Sequence, residues 1–147
     1  MPPVISRTLT AFVLSAALGL PLQADETVDS GAYLAARVAE SENDFRAAAG
    51  WYGKAIIADS GNALLLEGAI LAEIGIGDFP LAAKAAQMRK DLGGEPSQLA
   101  ELALLADEAK REDYSTILAA AEAGRDVGDL ANALVLAWAK VGEGKMS

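Results

Sequence analysis

Carboxylates are nearly all that this chain offers to chemistry. Its 147 residues hold 21 Asp and Glu against 12 Lys and Arg, with no His and no Cys. The absence of His removes the commonest general base and the commonest transition-metal ligand. The absence of Cys removes thiolate nucleophiles, thiolate metal sites and disulfides. What remains is acid–base work by paired carboxyls, for which Glu40 with Glu42, Glu67 with Glu73, and Asp107 with Glu108 are the nearest candidates. Such a pair needs two groups side by side in unlike environments, one protonated and one ionised. Spacings of one, two or six residues on a helix splay the side chains apart, and no apolar residue is forced beside them to raise a pKa. Asp126-Val127-Gly128-Asp129 is too sparse for a calcium loop. Gly75-Ile76-Gly77 and Gly93-Gly94 follow helices rather than strands, so they read as caps and turns instead of phosphate cradles. The expectation is a protein without catalysis, metal or cofactor.

The elements that hold these residues are set by a period. Asp44-Phe45, Asp78-Phe79 and Asp113-Tyr114 stand 34 and then 35 residues apart, the interval produced by stacked helix pairs. Each aromatic opens the same stripe: Phe45, Ala48, Ala49, Tyr52; Phe79, Ala82, Ala83, Ala86; Tyr114, Ile117, Leu118, Ala121. The preceding Asp can cap the free N–H groups of the first turn, and Pro80 fits the start of its helix. Upstream lie helical stretches over about 31–42, 62–76 and 97–111. Asn43 and Gly77 suit a left-handed turn between the members of a pair, and Glu112 suits it less well. A seventh helix spans about 129–141. The fold class is all-α: an α-solenoid of antiparallel helix pairs preceded by an N-terminal signal segment.

Residues 1–24 carry one positive charge at Arg7, an apolar run over 9–20, Pro21, and a small residue, Ala24, where a signal peptidase would cut. The run is about a dozen residues, short of the roughly 20 that a spanning helix needs. Loss of this segment removes Arg7 and no acidic residue, so the net charge moves from −9 to −10. An acidic leader over 25–30 follows. So negative a surface disfavours nucleic acid and anionic membrane as partners. A composition that is 52% hydrophobic is ample for one core, and its many alanines suit close helix packing.

The phased units resemble the tetratricopeptide repeat, a helix–turn–helix unit whose second helix opens with Gly-Asp-Tyr or a variant. Gly77-Asp78-Phe79 matches best, Asn43-Asp44-Phe45 well, and Glu112-Asp113-Tyr114 in part. Ala48, Tyr52 and Ala55 fall at the family's small, aromatic and small positions, and Asp59 begins its closing turn, with Ser60 for the usual Pro. The first helices depart more: Ile70 and Leu105 take the small position that Ala36 keeps, and no Trp stands at the fourth. The resemblance implies a domain over 31–142, with units of about 30–61, 62–96 and 97–128, a partial fourth over 129–142, and a tail over 143–147.

It further implies a concave face that holds a peptide or protein partner. By position that face is Tyr33, Arg37 and Glu40, then Glu67, Leu71 and Ile74, then Leu102, Ala106 and Ala109. Trp51, beside Tyr52, is a further contact candidate. The family's clamp for a terminal carboxylate is matched only by Arg37, so a segment with an apolar stretch suits Leu71, Ile74 and Leu102 better. Trp138 is expected in the core. An uncovered apolar flank on the last helix points to self-association or to a longer parent chain. These implications combine into a periplasmic protein-binding scaffold in a bacterium. The alternative is an envelope assembly component anchored in the inner membrane by its retained first segment.

Overall fold

A computed structural model describes residues 30–144, so the signal segment and most of the acidic leader lie outside the described residues. Among the described residues seven helices follow one another: α1 (Ser30–Ser41), α2 (Phe45–Ala58), α3 (Ala63–Ile76), α4 (Phe79–Asp91), α5 (Gln98–Lys110), α6 (Tyr114–Glu122) and α7 (Asp129–Gly142). No strand occurs among the described residues. Consecutive helices pack side by side, and α3 also touches α5, so the chain advances as a helical stack. None of these helices is long and apolar enough to cross a membrane.

The three recurring starts share one mechanism. The carboxylates of Asp44, Asp78 and Asp113 accept hydrogen bonds from the N–H groups of Ala47, Leu81 and Thr116 at 3.0, 3.2 and 3.2 Å. The turns before them are also alike. Asn43, Gly77 and Glu112 all take the left-handed conformation, with φ of 60°, 79° and 57°. In each turn the next residue donates back five positions: Asp44 to Ala39, Asp78 to Glu73, Asp113 to Glu108, all at 2.9 Å. That pairing satisfies carbonyls that the helix end leaves free. Glu112, expected to fit poorly, therefore adopts the same geometry, because the double hydrogen bond and the Asp113 cap over-determine it.

The core is built mainly from alanines. Ala32, Ala36, Ala48, Ala55, Ala72, Ala82, Ala86, Ala100 and Ala103 are all buried in one cluster that runs from α1 to α5. Aromatic rings sit in notches left by glycine: a Cβ on Gly68 would lie 2.2 Å from Tyr52, one on Gly75 2.5 Å from Phe45, and one on Gly142 2.6 Å from Tyr114. A second, smaller cluster joins Leu105, Ile117, Val127 and Ala139 across α5 to α7.

Trp138 is a correction to the sequence reading. It is 43% exposed rather than buried and meets Tyr114 edge-on, with ring centroids 5.0 Å apart. The cause is helical phase: Ala131, Val135 and Ala139 turn towards the second cluster, which leaves Leu130, Leu134, Trp138 and Val141 on the outer side.

Candidate functional site

Helices α1, α3 and α5 converge on a groove of about 200 Å³. Five of the residues expected on the concave face line it together: Tyr33, Arg37 and Glu40 from α1, Glu67 and Leu71 from α3. Tyr52 reaches in from α2, and Leu64, Gly68 and Leu99 complete the lining. Positions four apart on one helix share a face, so Tyr33 with Arg37 and Glu67 with Leu71 arrive as rows.

Three expected residues stand elsewhere. Ile74 is half-buried against the core cluster, because its position on α3 has turned past the groove. Leu102 is exposed but does not line the groove, where Leu99, one turn earlier on α5, takes that place. Trp51 lies outside the groove on α2, with the Lys54 ammonium 4.0 Å from its ring centre. Of the two further face positions, Ala106 is half-buried and Ala109 packs against the second cluster.

The polar groups of the groove are already partnered. Glu40 Oε2 accepts from the Tyr52 hydroxyl at 2.6 Å and from Arg37 Nη1 at 2.9 Å. Burial, with the hydrogen bond to Glu40, pushes the Tyr52 hydroxyl up to about 12, so it stays a neutral donor. Tyr52 and the Glu40 charge together hold Arg37 above its ordinary value. Glu67 accepts from Arg89 Nε at 3.1 Å, and the rest of that guanidinium binds the carbonyls of Gly93 and Glu95 at 3.2 and 2.9 Å.

The same device recurs in the next unit. Arg125 donates through Nη2 to Glu108 Oε1 at 2.9 Å, through Nη1 to Glu108 Oε2, and through Nε to Glu101 at 3.0 Å. Lys90 Nζ meets the other oxygen of Glu101 at 2.7 Å. Glu108 is 6% exposed, and its hydrogen bond holds Arg125 above the ordinary guanidinium value. Sequence reasoning missed Arg125 and Arg89 because their partners lie 17 to 24 residues away. Leu64 and Leu99 were missed because the face was assigned by phase from single positions.

The expected absence of perturbed carboxyls also needs correction. Burial raises the Glu73 pKa, helped by the negative charge of Asp78. Its Oε2 is buried without a hydrogen-bond partner. The paired carboxyls considered from the sequence do not meet one another: Glu40 and Glu67 go to Tyr52, Arg37 and Arg89, and Asp107 goes to Arg111 at 3.0 Å.

With acids neutralised, what the groove offers a ligand is apolar and aromatic surface. Leu64 is 71% and Leu71 38% exposed, beside the ring of Tyr33. Such a surface can take apolar side chains of a peptide, with Arg37 at its edge. Comparison with protein-family models, with curated protein sequences and with solved structures returns no match to this chain.

Proposed function

We propose that this chain is a scaffold of the tetratricopeptide-repeat type, exported to the bacterial periplasm, that binds a protein or peptide partner in the groove lined by α1, α3 and α5. It performs no catalysis in this reading. What supports it is the convergence of Tyr33, Arg37, Glu40, Glu67 and Leu71 on one groove whose carboxylates are spent on internal partners, leaving Leu64 and Leu71 open. An interface gains most from aromatic and apolar anchors that fill pockets. The ligand side of the contact is accordingly a segment with large apolar side chains. Export rests on the arrangement of residues 1–24.

The test places a photo-crosslinking residue at Leu71 and captures partners in envelope extracts. Leu64→Asp and Tyr33→Ala are expected to abolish capture, while Ile57→Asp, at an 86% exposed position on α2 outside the groove, leaves it intact. Capture that survives both groove changes refutes the assignment. Fractionation adds a check on location: recovery in the soluble periplasmic extract with Asp25 as the first residue is expected.

A further inference from the structure

The outer face of α7 is apolar along its whole length. Leu130, Leu134, Trp138 and Val141 are 75%, 63%, 43% and 56% exposed, and Ala133 and Ala137 between them are exposed as well. Steps of three and four residues put all of these side chains on one stripe, the pattern of a helix that packs on another helix. Since the opposite side already faces the second core cluster, α7 is apolar around most of its circumference.

Two features select the occupant. First, the stripe is its own complement. Set a second copy antiparallel, with the two-fold axis passing between positions 135 and 136. Near the middle of the stripe Leu134 then faces Ala137 of the other copy, and Leu130 faces Val141, so apolar side chains oppose one another along the pair. Second, the charges match only in that orientation. At 100° per residue, Asp129 and Lys140 fall on the same edge of the stripe, one near each end. Antiparallel helices bring like edges together, which places Asp129 of each copy about 3 Å along the axis from Lys140 of the other. A parallel pair would turn this charged edge towards the uncharged one.

We propose that α7 is a homodimerisation helix that pairs antiparallel with α7 of a second copy, independently of what occupies the groove. One helix face is smaller than the roughly 800 Å² per partner of a standard interface, so the association is reversible and concentration-dependent.

Sedimentation velocity of the purified protein over a dilution series is expected to show a monomer–dimer equilibrium. Asp129→Lys should weaken it about tenfold, and adding Lys140→Asp to the same chain should restore it. Because the chain has no Cys, single thiols report the register. Ala137→Cys lies roughly 4.5 Å along the axis from its own copy and Leu130→Cys roughly 16 Å. A short bis-maleimide should link the first and not the second. Circular dichroism of each variant at high dilution confirms that it is folded. A monomer at every concentration overturns the proposal. So does equal linking of the two thiols, or a double charge reversal no better than the single.

Discussion

Gly68→Ala tests how this stack is held together, because a single methyl group should damage it. A Cβ at position 68 would stand 2.2 Å from Tyr52 Cζ, 2.5 Å from Cε1 and 2.6 Å from the hydroxyl oxygen. Carbon atoms prefer about 3.5–4.0 Å, so the ring must retreat by more than an ångström. It has no room to do so: Tyr52 is 1% exposed, and its hydroxyl is bound to Glu40 at 2.6 Å. Overpacking of this kind costs about 1–3 kcal/mol, and a displaced hydroxyl also weakens a charge-assisted hydrogen bond worth about 1.5–3 kcal/mol. Against this, alanine gains about 1 kcal/mol over glycine in a helix. The net expectation is a loss of about 2 kcal/mol, or roughly 8 °C in Tm for a fold of this size. Gly53→Ala is the matched control: it is helical and exposed, with nothing within 4 Å of the new Cβ, so it should raise Tm by a few degrees through helix propensity alone. Thermal melts followed by circular dichroism measure both. Tyr52→Leu shortens the ring away, and in that background Gly68→Ala should cost almost nothing, which a double-mutant cycle reads as coupling. If Gly68→Ala melts at or above the parent, the notch reasoning is wrong.

Arg125→Met should be the most destabilising surface-distant change, by about 3–5 kcal/mol, because it strands the buried Glu108 and leaves Glu101 only Lys90; denaturant titration measures it. Glu112→Gly should stabilise by about 1 kcal/mol, since glycine enters the left-handed region without a Cβ penalty, and a rise in melting temperature checks it. Glu73→Gln should stabilise at neutral pH. The Glu73 pKa is raised in the folded state, so the protein binds that proton more readily when folded. Stability from this group is therefore highest below the ordinary value of 4.5 and is lost as pH rises through the folded pKa. Parent and variant should converge when melted below that value; a gain independent of pH would contradict the assignment.

Much of the scaffold is legible in the sequence because local chemistry repeats in phase. Asp44, Asp78 and Asp113 announce three helix starts on their own, and the 34 and 35 residue intervals set the pairs side by side. Helix bounds follow to within a residue or so, with Asn62 and Ser97 acting as caps rather than first residues. The convergence of Tyr33, Arg37, Glu40, Glu67 and Leu71 was also within reach, since a phased stack turns equivalent faces the same way. What escapes is whatever depends on two distant segments at once. Gly75 reads as part of a cap, and nothing local marks Gly68 or Gly142 as a notch, because the rings that need their missing side chains lie on other segments. Residues 124–129 read as punctuation between helices, yet Arg125 from that loop is the chief partner of buried Glu108. Trp138 shows the converse limit: its type favours burial, but the phase of α7 is fixed by Val135 and Ala139, and the ring follows to the outside.

The cross-braces explain why an acidic protein can present an apolar groove. In each complete unit a carboxylate on the first helix is held by a group from the second helix or the loop after it: Glu40 by Tyr52, Glu67 by Arg89, Glu101 and Glu108 by Arg125. Each brace locks the two helices of a pair together, while Arg37, Arg89 and Arg125 offset the charges of these carboxylates. The net charge of −9 is thereby left to the outer surface, where it keeps copies apart at long range. Apolar contact works only at close range. Under the proposed reading, the groove therefore engages its partner through short-range packing that added salt does not weaken. At α7, salt screens the Asp129–Lys140 pairs, so the roughly tenfold difference between Asp129→Lys and the parent should shrink as salt is raised, while the double reversal tracks the parent at every salt concentration.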